Sequence, residues 1–314
     1  MHVHQLAPEL SVISPVFQAE GIVDELVKRI KTELLKITDH FEIILVEDGS
    51  ADDSWSKIAQ NCRQDPRVKG LKLSRNFGQH YAVSAGLAKA TGKWLVIIDC
   101  DLQNAPEDIH QLLKYAHEGY EIVFTKRIKR KDGFWKSISA RIYNFLFKLL
   151  SDKNYDLDAG SMTLFSRKVR DEFLKFTERD RLYLQILKWL GFRSIYVPVE
   201  HHERYAGKTS YSMTKLFNLA LQGWVFNSDR LLKISIYLGF FLASISFLAG
   251  ILVIIRRFVH HLQAGWASIF VLILFSTGLM LMSIGITGIY IGKIFQQSKN
   301  RPLYIIDEEL NIHE

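Results

Sequence analysis

Cysteine is scarce. The chain holds two, Cys62 and Cys100, which give no disulfide framework and no metal-ligand spacing. Met1 to Leu10 lack a basic segment followed by an apolar one, so nothing there reads as a secretory signal, and the soluble part is expected to stay in the cytoplasm. A basic cluster from Lys126 to Lys131 has no aromatic platform or recognition-helix pattern beside it. No nucleic-acid partner is therefore expected, and contact with a membrane or a phosphate is the more economical reading. His201 and His202 are adjacent, and on a strand they would point to opposite faces, which does not suit a shared zinc ion.

Charge is absent from two long runs, Ile234 to Ile255 and Trp266 to Gly292. Each is long enough to cross a hydrocarbon core of about 30 Å as a helix, and neither has the polar face expected of a helix in a soluble core. Arg230, Lys233, Lys293, Lys299 and Arg301 bracket the pair, against Arg256 and Arg257 between them, which places both ends inside. The formal charge of +7 suits work beside anionic lipid, with a solvated basic surface as the plain alternative.

What remains of the 314 residues is enough for one sizeable soluble domain. Leu10 to Phe17, Phe41 to Val46, Val68 to Leu73 and Trp94 to Ile98 read as strands, separated by helical patterns such as Ile22, Leu26, Ile30 and Leu34. That rhythm implies βαβ units and a parallel sheet. Two of the strands end in acid. One runs into Glu47-Asp48-Gly49-Ser50, with Asp52 as a plausible helix N-cap, and the other into Asp99-Cys100-Asp101-Leu102-Gln103. Both acids would emerge at the carboxyl edge, where open α/β sheets bind ligands. Asp99 and Asp101, with the Gln103 amide beyond, offer hard oxygen ligands for Mg²⁺ or Mn²⁺, which usually completes its shell with substrate phosphates. A strand leaving through a polar turn is the ordinary reading of such spacing on its own.

Ser14-Pro15-Val16-Phe17, Glu47 to Asp52, Arg75-Asn76-Phe77-Gly78 and Asp99 to Gln103, in that order, resemble the successive signatures of family 2 nucleotide-sugar glycosyltransferases. The resemblance implies a GT-A fold: an α/β, Rossmann-like, mostly parallel sheet. It also implies a donor site of Pro15, Phe17, Glu20, Asp48, Arg75 and the Asp99/Asp101 pair, with Gln103 at the metal. The family usually has Tyr-Asn-Glu where this chain has Phe17-Gln18-Ala19 before Glu20, and often Asp where it has Glu47.

Farther on, Phe134 to Leu150 form a basic amphipathic pattern, suited either to the lipid interface or to packing on the domain core. The run from Arg204 to Tyr211 carries Arg204, Lys208 and Ser210 around Gly207, a composition suited to phosphate oxygens. Gln185 to Trp189 read as part of a packing helix. With Arg127, Arg141, the Asp158-Ala159-Gly160 turn and the tail through Arg301-Pro302-Leu303-Tyr304, the chain is similar to the polyprenyl-phosphate glycosyltransferases, the dolichol-phosphate mannose and undecaprenyl-phosphate glucose group. The turn usually continues Gly-Asp-Phe-Arg in that group, whereas here it runs Gly160-Ser161-Met162-Thr163.

That resemblance implies an inverting, metal-dependent enzyme of the inner membrane, multi-pass, with both termini cytoplasmic. It would move a sugar from a nucleotide diphosphate, UDP-glucose or a related UDP-sugar, to polyprenyl phosphate for cell-envelope glycan modification. Asp99, Asp101, Asp158 and Arg204 would be catalytic, and Arg127 and Arg141, with Arg130 in reserve, would hold the lipid phosphate. The expected domains are a catalytic domain over 1–211, with an interfacial helix near 134–150, a juxtamembrane helix over 212–231, a membrane pair within 232–294 (about 234–255 and 268–292) and a tail over 295–314. A homo-oligomer, a tetramer among the options, would use the β-prone Leu303 to Ile306. The competing readings are transfer to a growing glycan and a nucleotide-binding scaffold without turnover.

Overall fold

Two apolar runs, Leu10–Val16 (β1) and Phe41–Glu47 (β2), are buried along their whole length, as central strands covered on both faces must be. The computed structural model describes residues 8–127, 159–179, 181–199, 230–259 and 265–312. Between β1 and β2, Val23–Leu34 forms α1 and buries Val23, Leu26, Val27, Ile30 and Leu34, the stripe its spacing requires. The chain continues through α2 (Ser54–Gln64), β3 (Val68–Leu73), α3 (Gln79–Lys89) and β4 (Trp94–Ile97). After a 3₁₀ turn at Pro106–Asp108 come α4 (Ile109–His117), β5 (Ile122–Arg127), β6 (Ala159–Ser166), α5 (Arg167–Leu174), α6 (Tyr183–Trp189) and β7 (Ser194–Val199). The last strand is β8 (Ile306–Leu310). One apolar cluster joins α1, α2 and α4 to the sheet, and a second joins α3, α5 and α6 to its other face.

The eight strands lie in the order β7-β5-β6-β4-β1-β2-β3-β8. The sheet is mostly parallel, as expected, but mixed: β6 runs antiparallel to β4 and β5, and β8 antiparallel to β3. The cause is where the chain re-enters. β5 ends at the same edge as β4, and β6 starts from that edge, with Ala159 opposite Lys126. The residue after Asp158 therefore sits at the carboxyl edge, as do Arg127 and Val199, the paired ends of β5 and β7.

The first unit of the chain comprises the described residues up to Val199 together with 301–312. Its tail lies against its own chain: Ser74 N–H donates to Ile305 O at 3.0 Å, and Asn311 Nδ2 donates to Cys62 O at 2.6 Å and Val68 O at 2.8 Å. Lys72 meets Glu308 at 2.5 Å, and Lys89 meets Glu309 at 2.8 Å. The β-prone tail thus pairs within the protomer, over Ile306–Leu310 rather than Leu303 to Ile306.

The second unit contains α7 (Arg230–Val259) and α8 (Trp266–Ser298), both longer than the apolar runs that nucleate them. Among the described residues, one stretch is long and apolar enough to cross a membrane, Phe275–Ser298 of α8. The interfacial helix near 134–150 and the juxtamembrane helix over 212–229 lie outside the described residues.

Candidate active site

The edge opens where the β1/β4 ladder stops. Ile98 N–H donates to Ile13 O at 3.0 Å, whereas the next bond along β1 faces β2, Asp48 N–H to Val16 O at 2.9 Å. Alternation along a parallel strand turns Pro15 toward β4, and proline has no N–H to donate. β4 therefore ends as a regular strand at Ile97, and the chain peels away carrying Asp99 and Asp101. Pro15 itself is buried within β1 and shapes this edge.

Asp48 is buried, and its two oxygens accept the N–H groups of Phe77 at 2.7 Å and Gly78 at 2.9 Å. Burial pushes its carboxyl above the usual range, the two amides pull against that, and Glu47 beside it adds to the rise. This carboxylate clamps the segment after β3 to the end of β2. The contact is close because residue 49 is glycine: it sits at φ +67°, and a Cβ there would lie 2.2 Å from Asn76 N.

The loops after β1 and β2 are stitched together. Gln18 N–H donates to Ser50 Oγ at 3.0 Å, Ala19 N–H to Ser54 Oγ at 2.9 Å and Glu20 N–H to Asp52 Oδ2 at 3.2 Å. Glu20 returns a carboxylate to Asp53 N–H at 3.0 Å. Asp52 is not the N-cap of α2. Asp53 holds that position without a side-chain bond, and Asp52 accepts from the N–H of Ser54, the first residue of the helix, at 3.2 Å. Phe17 remains 45% exposed at the mouth of this loop. Arg75 is exposed too, with its guanidinium 4.1 Å from the Phe77 ring.

Asp99 and Asp101 are half-buried on the turn after β4. Asp99 Oδ1 accepts from Gln79 Nε2 at 2.7 Å, and Asp101 Oδ1 accepts from Gln103 N–H at 3.1 Å. Leu102, between Asp101 and Gln103, is buried in the left-handed region at φ +56°. The Cys100 thiol is held at about 12, raised by burial and by the acids on either side. It stays protonated and unreactive. Beneath Gln79, His80 stacks at a tilt 5.5 Å from Tyr183, and its buried Nδ1 has no partner. Burial holds that imidazole down at about 4, so it is neutral at pH 7.

Asp48, Asp99, Asp101 and Gln103 thus stand on turns leaving one sheet edge, with Phe17, Glu20 and Arg75 on the loops around them. Arg127 ends β5 at the same edge. Arg130, Arg141, Asp158, Arg204, Lys208 and Ser210 lie outside the described residues. Sequence reasoning missed Gln79, the residue after the third signature, because an amide at a helix start carries no chemical signal until its neighbour in space is known. Among the described residues no group of three or more His, Cys, Asp or Glu could hold a metal ion. Two half-buried carboxylates on one turn fit an ion that takes its other oxygens from phosphate and water.

The model of "Glycosyl transferase family 2" matches residues 11–174, which span every strand and acid just described from β1 to β6. The chain belongs to glycosyltransferase family 2. The match is full-length in individual relatives. A bactoprenol glucosyl transferase of Shigella phage SfV is 36% identical over 304 residues, covering 96% of this chain and 99% of the relative. An undecaprenyl-phosphate 4-deoxy-4-formamido-L-arabinose transferase of Klebsiella pneumoniae is 30% identical over 304 residues, covering 95% and 92%. Among solved structures, glucosyl-3-phosphoglycerate synthase from Mycobacterium tuberculosis, in complex with Mn²⁺ and UDP-Glc, superposes with a TM-score of 0.51 at 15% identity, covering 69% of this chain and 77% of that one. That likeness is one of fold, GT-A-like. This family 2 member is a glycosyltransferase, and its relatives include polyprenyl-phosphate sugar transferases.

Proposed function

We propose that this glycosyltransferase moves a sugar from a nucleotide diphosphate sugar, UDP-glucose or a related UDP-sugar, to undecaprenyl or another polyprenyl phosphate, with inversion at the anomeric carbon. The observation that carries the reading is the convergence of Asp48, Asp99 and Asp101 on one sheet edge in a chain that matches lipid-phosphate sugar transferases from end to end. Those two relatives are named for different sugars and for the same kind of carrier lipid, so the acceptor class has more support than the sugar does.

The acceptor is a phosphate monoester with a second pKa near 6, so it is mostly dianionic at pH 7 and needs little deprotonation. Positioning and charge then control the rate. Asp101 and Asp99, with Gln103, would hold Mg²⁺ or Mn²⁺. When bound, the ion supplies charge neutralisation to the departing diphosphate. Phe17, Glu20, Asp48 and Arg75 form the nucleoside side, with Asp48 and Glu20 acting chiefly through the loops they fix. Arg204, Lys208 and Ser210 complete the diphosphate clamp. Arg127 and Arg141, with Arg130, hold the lipid phosphate, and Asp158 orients that phosphate or the sugar hydroxyls.

The catalytic domain is formed by residues 1–211 with the tail strand, and α7 and α8 are a membrane pair in the inner membrane. The covalent path supports the second span: the chain leaves the sheet after β7 and rejoins it at β8, so an even number of crossings lies between. If α8 spans the bilayer, a second crossing lies between β7 and β8; we assign it to α7, with both termini on the cytoplasmic, catalytic side. Assay of the detergent-solubilised protein against a panel of nucleotide sugars, with undecaprenyl phosphate as acceptor and thin-layer separation of labelled lipid, tests the reading and names the sugar. Turnover confined to soluble or polymeric acceptors would overturn it.

A further inference from the structure

Gln79 stands between the two halves of the acidic edge. It is the first residue of α3, and its amide reaches Asp99 Oδ1 at 2.7 Å. The two residues before it, Phe77 and Gly78, donate their N–H groups to Asp48. Three consecutive residues therefore join the acid that follows β2 to the acid that follows β4. The segment is fixed at both ends. Gly78 enters the helix at φ +106°, and a Cβ on Gly86 would lie 2.4 Å from Ile13 Cγ2, so α3 is pressed on β1 with no room to slide.

We propose that Gln79 is a positioning residue for the metal pair, holding the Asp99 carboxylate at an orientation that Asp48 sets through Phe77 and Gly78. This rests on the reading of Asp99 and Asp101 as metal ligands. A neutral amide suits the role. It fixes one carboxylate oxygen with a directional bond and, being neutral, does not cancel the carboxylate's charge toward a cation. A lysine or arginine in its place would compete with that cation for the same charge.

The test uses the full-length chain in detergent. Mn²⁺ affinity is read by electron paramagnetic resonance without nucleotide, and UDP affinity by calorimetry without metal. Gln79→Met keeps the volume and removes the donor. We expect it to weaken Mn²⁺ binding roughly tenfold, about 1.4 kcal/mol, with metal-free UDP binding unchanged. Asp48→Asn should weaken Mn²⁺ binding in the wild-type background and add less than about twofold to Gln79→Met, since the path is already cut.

Wild-type Mn²⁺ affinity in Gln79→Met would overturn the proposal. So would full additivity of the two substitutions, or a loss of metal-free UDP binding, which would make Gln79 a nucleotide contact. Asp101→Asn separates this from failure of the underlying reading: if it binds Mn²⁺ as the wild type does, or if the wild type binds none, the pair is not the metal site at all. Gln79 is exposed, so its substitution leaves the core untouched, and Gln79→Met alone decides the first half even if Asp48→Asn is too unstable to use.

Discussion

Replacing Asp48 by Asn should loosen one short segment and little else. The buried carboxylate accepts from both Phe77 and Gly78, whereas an amide accepts through its single oxygen and turns two N–H donors toward the other partner. One part-buried N–H is then left unpaired, at about 1 to 3 kcal/mol, and the surviving bond loses its charge assistance, which halves it roughly. Opposing this, Asn escapes the burial penalty that raises the Asp48 pKa. A net cost of about 2 kcal/mol corresponds to local opening roughly 30-fold more frequent. Hydrogen exchange with mass spectrometry on a peptide spanning 74–80 reads it directly. The Phe77 and Gly78 amides should exchange about 30-fold faster, with those of Val12 and Ile44 in β1 and β2 unchanged. Unaltered protection at 77 and 78 would refute the clamp, and equal loss throughout the sheet would make Asp48 a support of the whole fold instead.

Asp101→Asn removes one charge at nearly constant volume. It should abolish transfer while melting within a degree or two of the wild type, and Asp99→Asn should be severely impaired; activity with saturating Mn²⁺ and thermal melting check both. His80 has a folded pKa of about 4, below the ordinary value of about 6.5, so the unfolded chain takes up its proton first as the pH falls. Stability from this group is therefore complete above about 6.5 and lost toward 4, by at most about 3 kcal/mol, and His80→Phe should flatten that part of a stability-against-pH curve; an unchanged slope would contradict the burial. Removing residues 301–314 bares the β3 edge and should lower the melting temperature and promote association, whereas Glu308→Ala, which removes the exposed Lys72 ion pair and the Trp55 Nε1 hydrogen bond but leaves β8 paired, should do neither; melting and light scattering that treat the two alike would contradict the brace.

Much of this was legible in the chain, for local reasons. Val68–Leu73 falls within the residues expected from its apolar pattern, and Asp48 and Asp99 leave one edge because parallel strands put successive carboxyl ends together. Strand direction was less legible. β6 and β8 are antiparallel because of where distant connections return, which no window of β-favouring residues records. The α6 segment was read as a packing helix, and Tyr183, Ile186 and Leu187 do pack, yet Trp189 is 76% exposed; seven residues are too few for a stripe to fix every position. Pro15, Glu20 and Gln79 show a third limit. Their types were plain, but whether each faces a ligand or a neighbouring loop depends on contacts across 20 to 80 residues of sequence.

The most direct test of the central claim is whether the protein makes a lipid-linked sugar through its acid pair. Detergent-solubilised full-length chain is incubated with radiolabelled UDP-glucose, undecaprenyl phosphate and Mn²⁺, then extracted into organic solvent and treated with mild acid. The account predicts label in the organic phase that mild acid releases, dependent on added lipid phosphate and on the metal and absent with Asp101→Asn. Label that stays in a polymer or in water, or lipid product formed equally well by Asp101→Asn, would contradict it.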